Sequence, residues 1–228
     1  MHIVILILIV LALLFGPQLW VQWVMRRHSV ARDDFPGTGG EFAHHLLQRL
    51  QLDNVGVEAT EKGDHYDPTS RTVRLSPDNF GGRSLTAVVV AAHEVGHAIQ
   101  HAGNYRWLSL RHRLVPLANS AQQLGNVLFF GIPVIALLTR APSSGLLLLV
   151  GALLSFGAAA LVHLVTLPVE FDASFNRALP LLRAGRYIPE PDQRAAHCIL
   201  RAAAMTYVAA SFASLLNLWR WLRVLRRA

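Results

Sequence analysis

The sequence is short of cysteine and of charged residues, and both shortages exclude classes of protein. Cys198 is the only cysteine among 228 residues, so neither an intrachain disulfide nor an all-cysteine metal site is possible. Charged residues make up 15% of the chain, against roughly 25% in ordinary soluble domains. Hydrophobic residues make up 53%, and the mean hydropathy is +0.36. This composition excludes a disordered or collagen-like chain and indicates a membrane protein.

Four windows of the sequence contain no charged residue at all. Each is close to or longer than the roughly 20 apolar residues that cross a lipid bilayer as a helix. They therefore predict three or four membrane spans, at residues 1–25, 114–139, 141–169 and 202–219.

The positive charge of the chain is concentrated at one end. Residues 201–228 hold five arginines and no acidic residue, which accounts for most of the formal net charge of +7. Arginines at a membrane edge suit the headgroups of a lipid bilayer, and we expect no nucleic-acid partner. Arginines also follow the first window and precede the second, so the positive-inside rule places residues 26–118 in the cytoplasm.

One soluble segment, residues 26–118, carries the pattern of a small α+β insert. Its periodicity predicts a helix around Glu41 to Leu50, a strand at Val55 to Ala59 and a helix from Ser84 to about His101. The predicted organisation is a first span (1–25), this cytoplasmic insert (26–118), a two-span hairpin (119–166), a segment returning to the cytoplasmic side (167–200) and a C-terminal apolar helix with an Arg-rich tail (201–228).

The second predicted helix of the insert contains the string A-A-H-E-V-G-H-A-I. His93 and His97 are four residues apart, so both imidazoles lie on one helix face, as two ligands of one tetrahedral zinc ion do. Glu94 lies beside the first ligand, where a carboxylate can accept a proton from zinc-activated water. Burying these residues in an otherwise apolar helix is costly unless a cation compensates. The string therefore predicts a zinc site with Glu94 as general base.

A catalytic zinc ion needs a third protein ligand and one open position for water. Glu170 is the first acidic residue after Glu94, and it lies on the predicted side of the membrane that holds the histidines. Asp172 is the rival ligand, or a partner that orients one of the imidazoles. The alternative for both is a pair of carboxylates solvated at the membrane surface.

Six strings occur in order along the chain: G-D-H-Y-D-P (63–68), V-R-L-S (73–76), A-A-H-E-V-G-H-A-I-Q (91–100), L-R-H-R-L-V-P (110–116), T-L-P-V-E-F-D-A-S (166–174) and A-A-A-M-T-Y-V-A-A (202–210). Together they resemble the bacterial YugP-like membrane neutral zinc metallopeptidases. The resemblance implies a multi-pass zinc peptidase with His93 and His97 as ligands and Glu94 as catalytic base. A looser similarity to CAAX-type integral-membrane metalloproteases matches Glu170 to their third-ligand Glu, although those enzymes carry Asp four residues later, where this chain has Ser174.

The order of parts in such proteases also implies a strand that pairs with substrate just before the H-E-x-x-H helix. The residues that would form it alternate as an edge strand does, and a plain sheet edge without substrate is the alternative reading. Before this strand, His65 and Tyr66 are candidate donors to the oxyanion, or else structural residues of a turn. The candidate substrate strand consists of Arg71, Thr72, Val73, Arg74, Leu75 and Ser76.

The expected fold class is mainly α: a multi-pass helical membrane protein of three or four spans with a small α+β zincin-like insert. The expected function is a zinc-dependent metalloendopeptidase of the cell membrane, with its site on the cytoplasmic side and a peptide or membrane protein as substrate. The alternative is a non-proteolytic membrane scaffold whose zinc ion is structural. Four protein ligands would indicate the scaffold, and three the enzyme. The sequence sets no oligomeric state.

Overall fold

A computed structural model describes residues 2–139 and 142–205, so most of the predicted C-terminal segment 201–228 lies outside the described residues. The chain folds as two compact units. One comprises Pro17–Ser109 and Leu167–Thr206, and it contains every residue that the sequence assigns to the site. The other contains the described residues of 2–16 and 110–166.

The described residues are mainly helical, with one small sheet. Residues 193–205 are also helical. The elements in chain order are α1 (His2–Arg27), α2 (Gly39–Arg49), β1 (Gly56–Ala59), β2 (His65–Asp67), β3 (Thr72–Leu75), α3 (Pro77–Phe80), α4 (Leu85–Ala102), α5 (Arg106–Thr139), α6 (Pro142–Phe171), a π-helix (Asp172–Ala178), α7 (Leu179–Ala184) and a short 3-10 helix (Glu190–Asp192).

The mainly helical fold with a small sheet agrees with the sequence prediction, but the predicted multi-pass membrane arrangement is wrong. Across the residues that the structure describes, no helix is both long enough and apolar enough to cross a bilayer.

The sheet has the strand order β1-β3-β2, which corrects the prediction for residues 71–76. Strand β3 is central: it pairs with β1 in parallel and with β2 in antiparallel register. Because both of its edges are already hydrogen-bonded, the predicted addition of a substrate strand to Arg71–Ser76 is wrong. Val73 and Leu75 of β3 are buried in the core, and Arg74 between them pairs with Glu58 and Asp67.

Helix α2 begins at a capping box. The Thr38 hydroxyl accepts from the backbone N–H of Glu41, and the Glu41 carboxylate accepts from the backbone N–H of Thr38. This reciprocal pair satisfies two helix-terminal donors and sets the start of the helix. Leu46 and Leu47 on its inner face are buried in the same core as Val73 and Val89.

Helix α4 is the central element of this unit. Ser84 caps it by accepting from the N–H of Ala87, and Gly103 follows its end, as the sequence predicts. Every residue of α4 is buried except Ile99, His101 and Ala102. A helix that is buried on all sides must be covered by neighbours throughout. Its covering elements are α2, α3, the sheet, the π-helix and α7.

We predict that Gly39→Ala destabilises the fold by about 1–3 kcal/mol, as overpacking of a tight contact does. A Cβ at Gly39 would lie 2.3 Å from the carbonyl oxygen of Asn79 and 2.9 Å from that of Ala87, and backbone atoms cannot yield as a side chain does. Thermal unfolding of the two proteins measures the change. Gly56→Ala is the matched control, since its Cβ would meet only Thr72 at 3.6 Å; equal stability of the two variants would contradict the prediction.

Candidate metal centre

Two imidazoles and one carboxylate lie close together in the interior of the unit that comprises Pro17–Ser109 and Leu167–Thr206. His93 and His97 project from one face of α4, one turn apart, with ring centroids separated by 4.8 Å. The Oε2 atom of Glu170 lies 3.2 Å from Nε2 of His93 and 3.5 Å from Nε2 of His97. The three residues are buried, with Glu170 only 1% exposed. The helix spacing thus turns both Nε2 atoms toward the same carboxylate.

This group has the composition and spacing of a zinc site. One donor atom from each residue lies within 4.8 Å of the other two, and no other such group of three occurs among the residues that the structure describes. Two imidazole nitrogens and one carboxylate oxygen are ligands that Zn²⁺ takes in catalytic sites. A cation among them would also compensate a carboxylate that is otherwise costly to bury. The residues present therefore fit the ion.

The opposite ring nitrogens of the two histidines are both hydrogen-bonded. Nδ1 of His93 lies 3.0 Å from the hydroxyl of Ser174, which donates to the carbonyl of Leu200. Nδ1 of His97 lies 2.9 Å from Oε1 of Gln100. Each ring is thereby held from behind, as ligating histidines commonly are.

The third ligand candidate comes from the end of α6, where the helix changes type. Glu170 is in the last turn of α6, and the chain then continues as the π-helix Asp172–Ala178. Single-turn π-helices occur often at functional sites, because the wider turn shifts the side chains that follow it. Here the shift places Ser174 behind His93 and leaves Glu170 in front of it.

Close approach of α4 and the π-helix depends on Gly96. A Cβ at this position would lie 2.7 Å from the carbonyl oxygen of Ala173. The glycine between Glu94 and His97 in the H-E-V-G-H string therefore has a packing reason: any side chain would separate the two histidines from the segment that carries Glu170.

Asp172, the rival ligand candidate, lies outside the group of three donors. Its carboxylate accepts from Gln100, Asn176 and Arg177, at 2.8, 3.0 and 2.7 Å. Burial raises the pKa of Asp172, but these hydrogen bonds outweigh burial and hold the pKa below its usual value. The structure thus places Glu170 in the metal-capable group and Asp172 beside it.

Glu94 is buried on the same helix, directly after His93, and is 5% exposed. Its place in the chain puts it next to a metal-capable residue while leaving it outside the group of three donors.

The remaining sequence candidates have contacts away from this group. The ring of His65 is hydrogen-bonded to the carbonyl of Gly63 in its own turn. The Tyr66 hydroxyl lies 2.8 Å from Nδ1 of His101. Burial raises the pKa of Tyr66. These contacts fit the structural alternative for both residues.

Sequence reasoning missed Gln100, and it noted Ser174 only as a departure from a related pattern. A signal for Gln100 was available, because it lies three residues after His97 on the same helix face. Its burial, at 0% exposure, sets it apart from a surface glutamine.

Comparison with known proteins gives two extensive matches. The family model described as "Putative neutral zinc metallopeptidase" matches residues 3–226. The "Putative membrane protease YugP" of Bacillus subtilis (strain 168) is 38% identical over 217 residues, which cover 94% of this chain and 92% of that protein. No solved structure matches the chain. The resemblance drawn from the sequence strings is confirmed, and so is zinc as the cofactor that the buried group fits.

We predict that Gly96→Ala weakens zinc binding by at least about tenfold, since orienting contacts of a metal site are worth roughly 10–100-fold in affinity. The added methyl group would push Ala173 away and separate the histidines from Glu170. Competition with a chromogenic chelator measures the affinity. Gly39→Ala is the control, because it introduces a similar clash away from the group; the same loss of affinity in both variants would contradict the prediction.

We also predict that Glu170→Ala empties the site, whereas Asp172→Ala loosens zinc binding by about 10–100-fold. The reason is that Glu170 contributes one of three donors, while Asp172 acts only through neighbours. The zinc content of the two purified variants decides between them. Zinc retained in Glu170→Ala and absent from Asp172→Ala would reverse the assignment.

Proposed function

Since the chain belongs to the neutral zinc metallopeptidase family, we propose that it hydrolyses peptide bonds at the His93, His97 and Glu170 group, with Glu94 as general base. The observation that carries the proposal is the composition of the buried group: two imidazoles and one carboxylate in mutual reach, with a second carboxylate next to the first histidine.

In the proposed reaction, this chain's residues hold the ion and move protons. His93, His97 and Glu170 would hold the zinc ion, which when bound would supply the Lewis acidity that activates water and polarises the scissile carbonyl. Glu94 accepts one proton as the water oxygen attacks the carbonyl carbon. It then delivers that proton to the leaving nitrogen as the C–N bond breaks. Ser174 and Gln100 keep the two imidazoles in place throughout.

The number of donors favours the enzyme over a scaffold with a structural zinc ion. Structural zinc sites are closed by four protein ligands, whereas catalytic sites have three and an open position. Within the described part of the chain, the group has three members. The nearest further acidic side chain on the π-helix, Asp172, is engaged by Gln100, Asn176 and Arg177 instead.

We further propose that the protein acts on peptide or membrane-protein substrates at a lipid membrane. Support for the membrane comes from the name of the Bacillus relative, a membrane protease, and from the cluster of arginines in residues 201–228.

We predict that Glu94→Gln retains zinc and loses about 10²–10⁴-fold in hydrolysis, because the amide preserves the shape of the side chain but cannot accept a proton. Cleavage of a mixture of internally quenched peptides by the zinc-loaded protein measures the loss, with zinc content determined on the same sample. The control is Glu61→Gln, which makes the same change at an exposed position. Full activity in a folded, zinc-loaded Glu94→Gln variant would exclude this mechanism.

A further inference from the structure

The amide of Gln100, behind His97, has its hydrogen-bonding direction fixed by its surroundings. Its Nε2 atom lies 2.8 Å from the carbonyl oxygen of Val169 and 2.8 Å from Oδ2 of Asp172. Both partners are acceptors, so the NH₂ group must face them. The amide oxygen is then left facing Nδ1 of His97, at 2.9 Å.

An acceptor at that place determines which nitrogen of His97 carries the proton. A neutral imidazole has one N–H and one lone pair, and an amide oxygen can only accept. The proton must therefore be on Nδ1, which leaves the lone pair on Nε2. That atom faces Glu170 and is the atom available to a metal ion.

The same amide also joins the two chain segments that supply the ligands. Gln100 is on α4, while Val169 directly precedes Glu170 in α6 and Asp172 opens the π-helix. One side chain thus restrains His97 through its oxygen and the Glu170 segment through its nitrogen. Arg177 donates to Asp172 at 2.7 Å and lies over the ring of Tyr105. It thereby restrains the carboxylate that accepts from Gln100.

We propose that Gln100 is a positioning residue that sets the tautomer of His97 and the distance of Glu170 from it, with Asp172 and Arg177 fixing the orientation of its amide. Ser174 acts on His93 in a similar way, because its hydroxyl donates to the carbonyl of Leu200 and so accepts from Nδ1 of His93, but Gln100 alone also donates to Val169 and Asp172. The inference rests on the proposed function only in taking the group as a zinc site, so its test measures metal binding.

The decisive experiment compares zinc affinity in full-length variants by chelator competition. Gln100→Leu removes both contacts, and Gln100→Glu retains an acceptor for His97 but cannot donate to Val169 and repels Asp172. We expect each to weaken zinc binding by about 10–100-fold, the usual effect of losing an orienting group. The visible absorption of the Co²⁺-loaded proteins should change as well, because it reports ligand geometry.

A reciprocal exchange tests the direction of the hydrogen bond. In Gln100→Glu combined with Asp172→Asn, the new amide at position 172 can donate to the new carboxylate at position 100. The pair keeps a single negative charge near Arg177. We expect this double variant to recover most of the affinity that Gln100→Glu loses. Because it conserves side-chain volume, it also serves as the test if Gln100→Leu does not fold.

Thr86→Val is the control for a general loss of stability. Thr86 is buried on the same helix and donates to the carbonyl of Met25, away from the metal-capable group. We expect its zinc affinity to equal that of the parent protein. A folded Gln100→Leu variant that binds zinc as tightly as the parent would overturn the inference. So would equal losses in Gln100→Leu and Thr86→Val, or a double variant no better than Gln100→Glu. If the zinc affinities are as expected but the parent protein cleaves no peptide, the proposed function alone is contradicted.

Discussion

A carboxylate buried between two imidazoles is the constraint on which the rest of the site-bearing unit, Pro17–Ser109 and Leu167–Thr206, depends. An unpaired charge in a protein interior is costly, so Glu170 at 1% exposure requires compensation from every side. Two of its neighbours are the Nε2 atoms of His93 and His97, and those rings are in turn held by Ser174 and Gln100. Burial of α4 removes His93, His97 and Gln100 from water, so it requires the hydrogen bonds that these side chains make.

The network also shows why the helix around Glu170 changes its hydrogen-bonding pattern. Glu170 must face the histidines, while Ser174 must reach behind His93 to its other nitrogen. Residues four apart on an α-helix lie one above the other on the same face. The π-helix after Phe171 alters that relation. Gly96 completes the fit, because its missing side chain allows the backbone of Ala173 to approach α4.

The local features of this unit could be predicted from the sequence, and the long-range ones could not. The spacing of His93 and His97 and the cap at Ser84 depend on neighbours within one or two helical turns, and the structure has them as the sequence indicates. The central place of β3 depends on β2, a strand of three residues with too short a pattern to be recognised. The role of Gln100 depends on partners 69 and 72 positions away. The membrane spans were predicted from charge-free windows, and in the described part of the chain no helix is long and apolar enough to cross a bilayer.

Glu170 lies far after His93 and His97 in the sequence, and this separation determines when the metal-capable group is complete during synthesis. Ser174 follows His93 by 81 positions, and Glu170 lies between them near the later end. A ribosome synthesises the chain from its N-terminus at roughly 5–20 residues per second. The two histidines and Glu94 therefore exist for several seconds before the third donor is made. A chain whose synthesis stops in that interval has the H-E-V-G-H helix but an incomplete group, so prematurely terminated products lack the complete site of the finished protein.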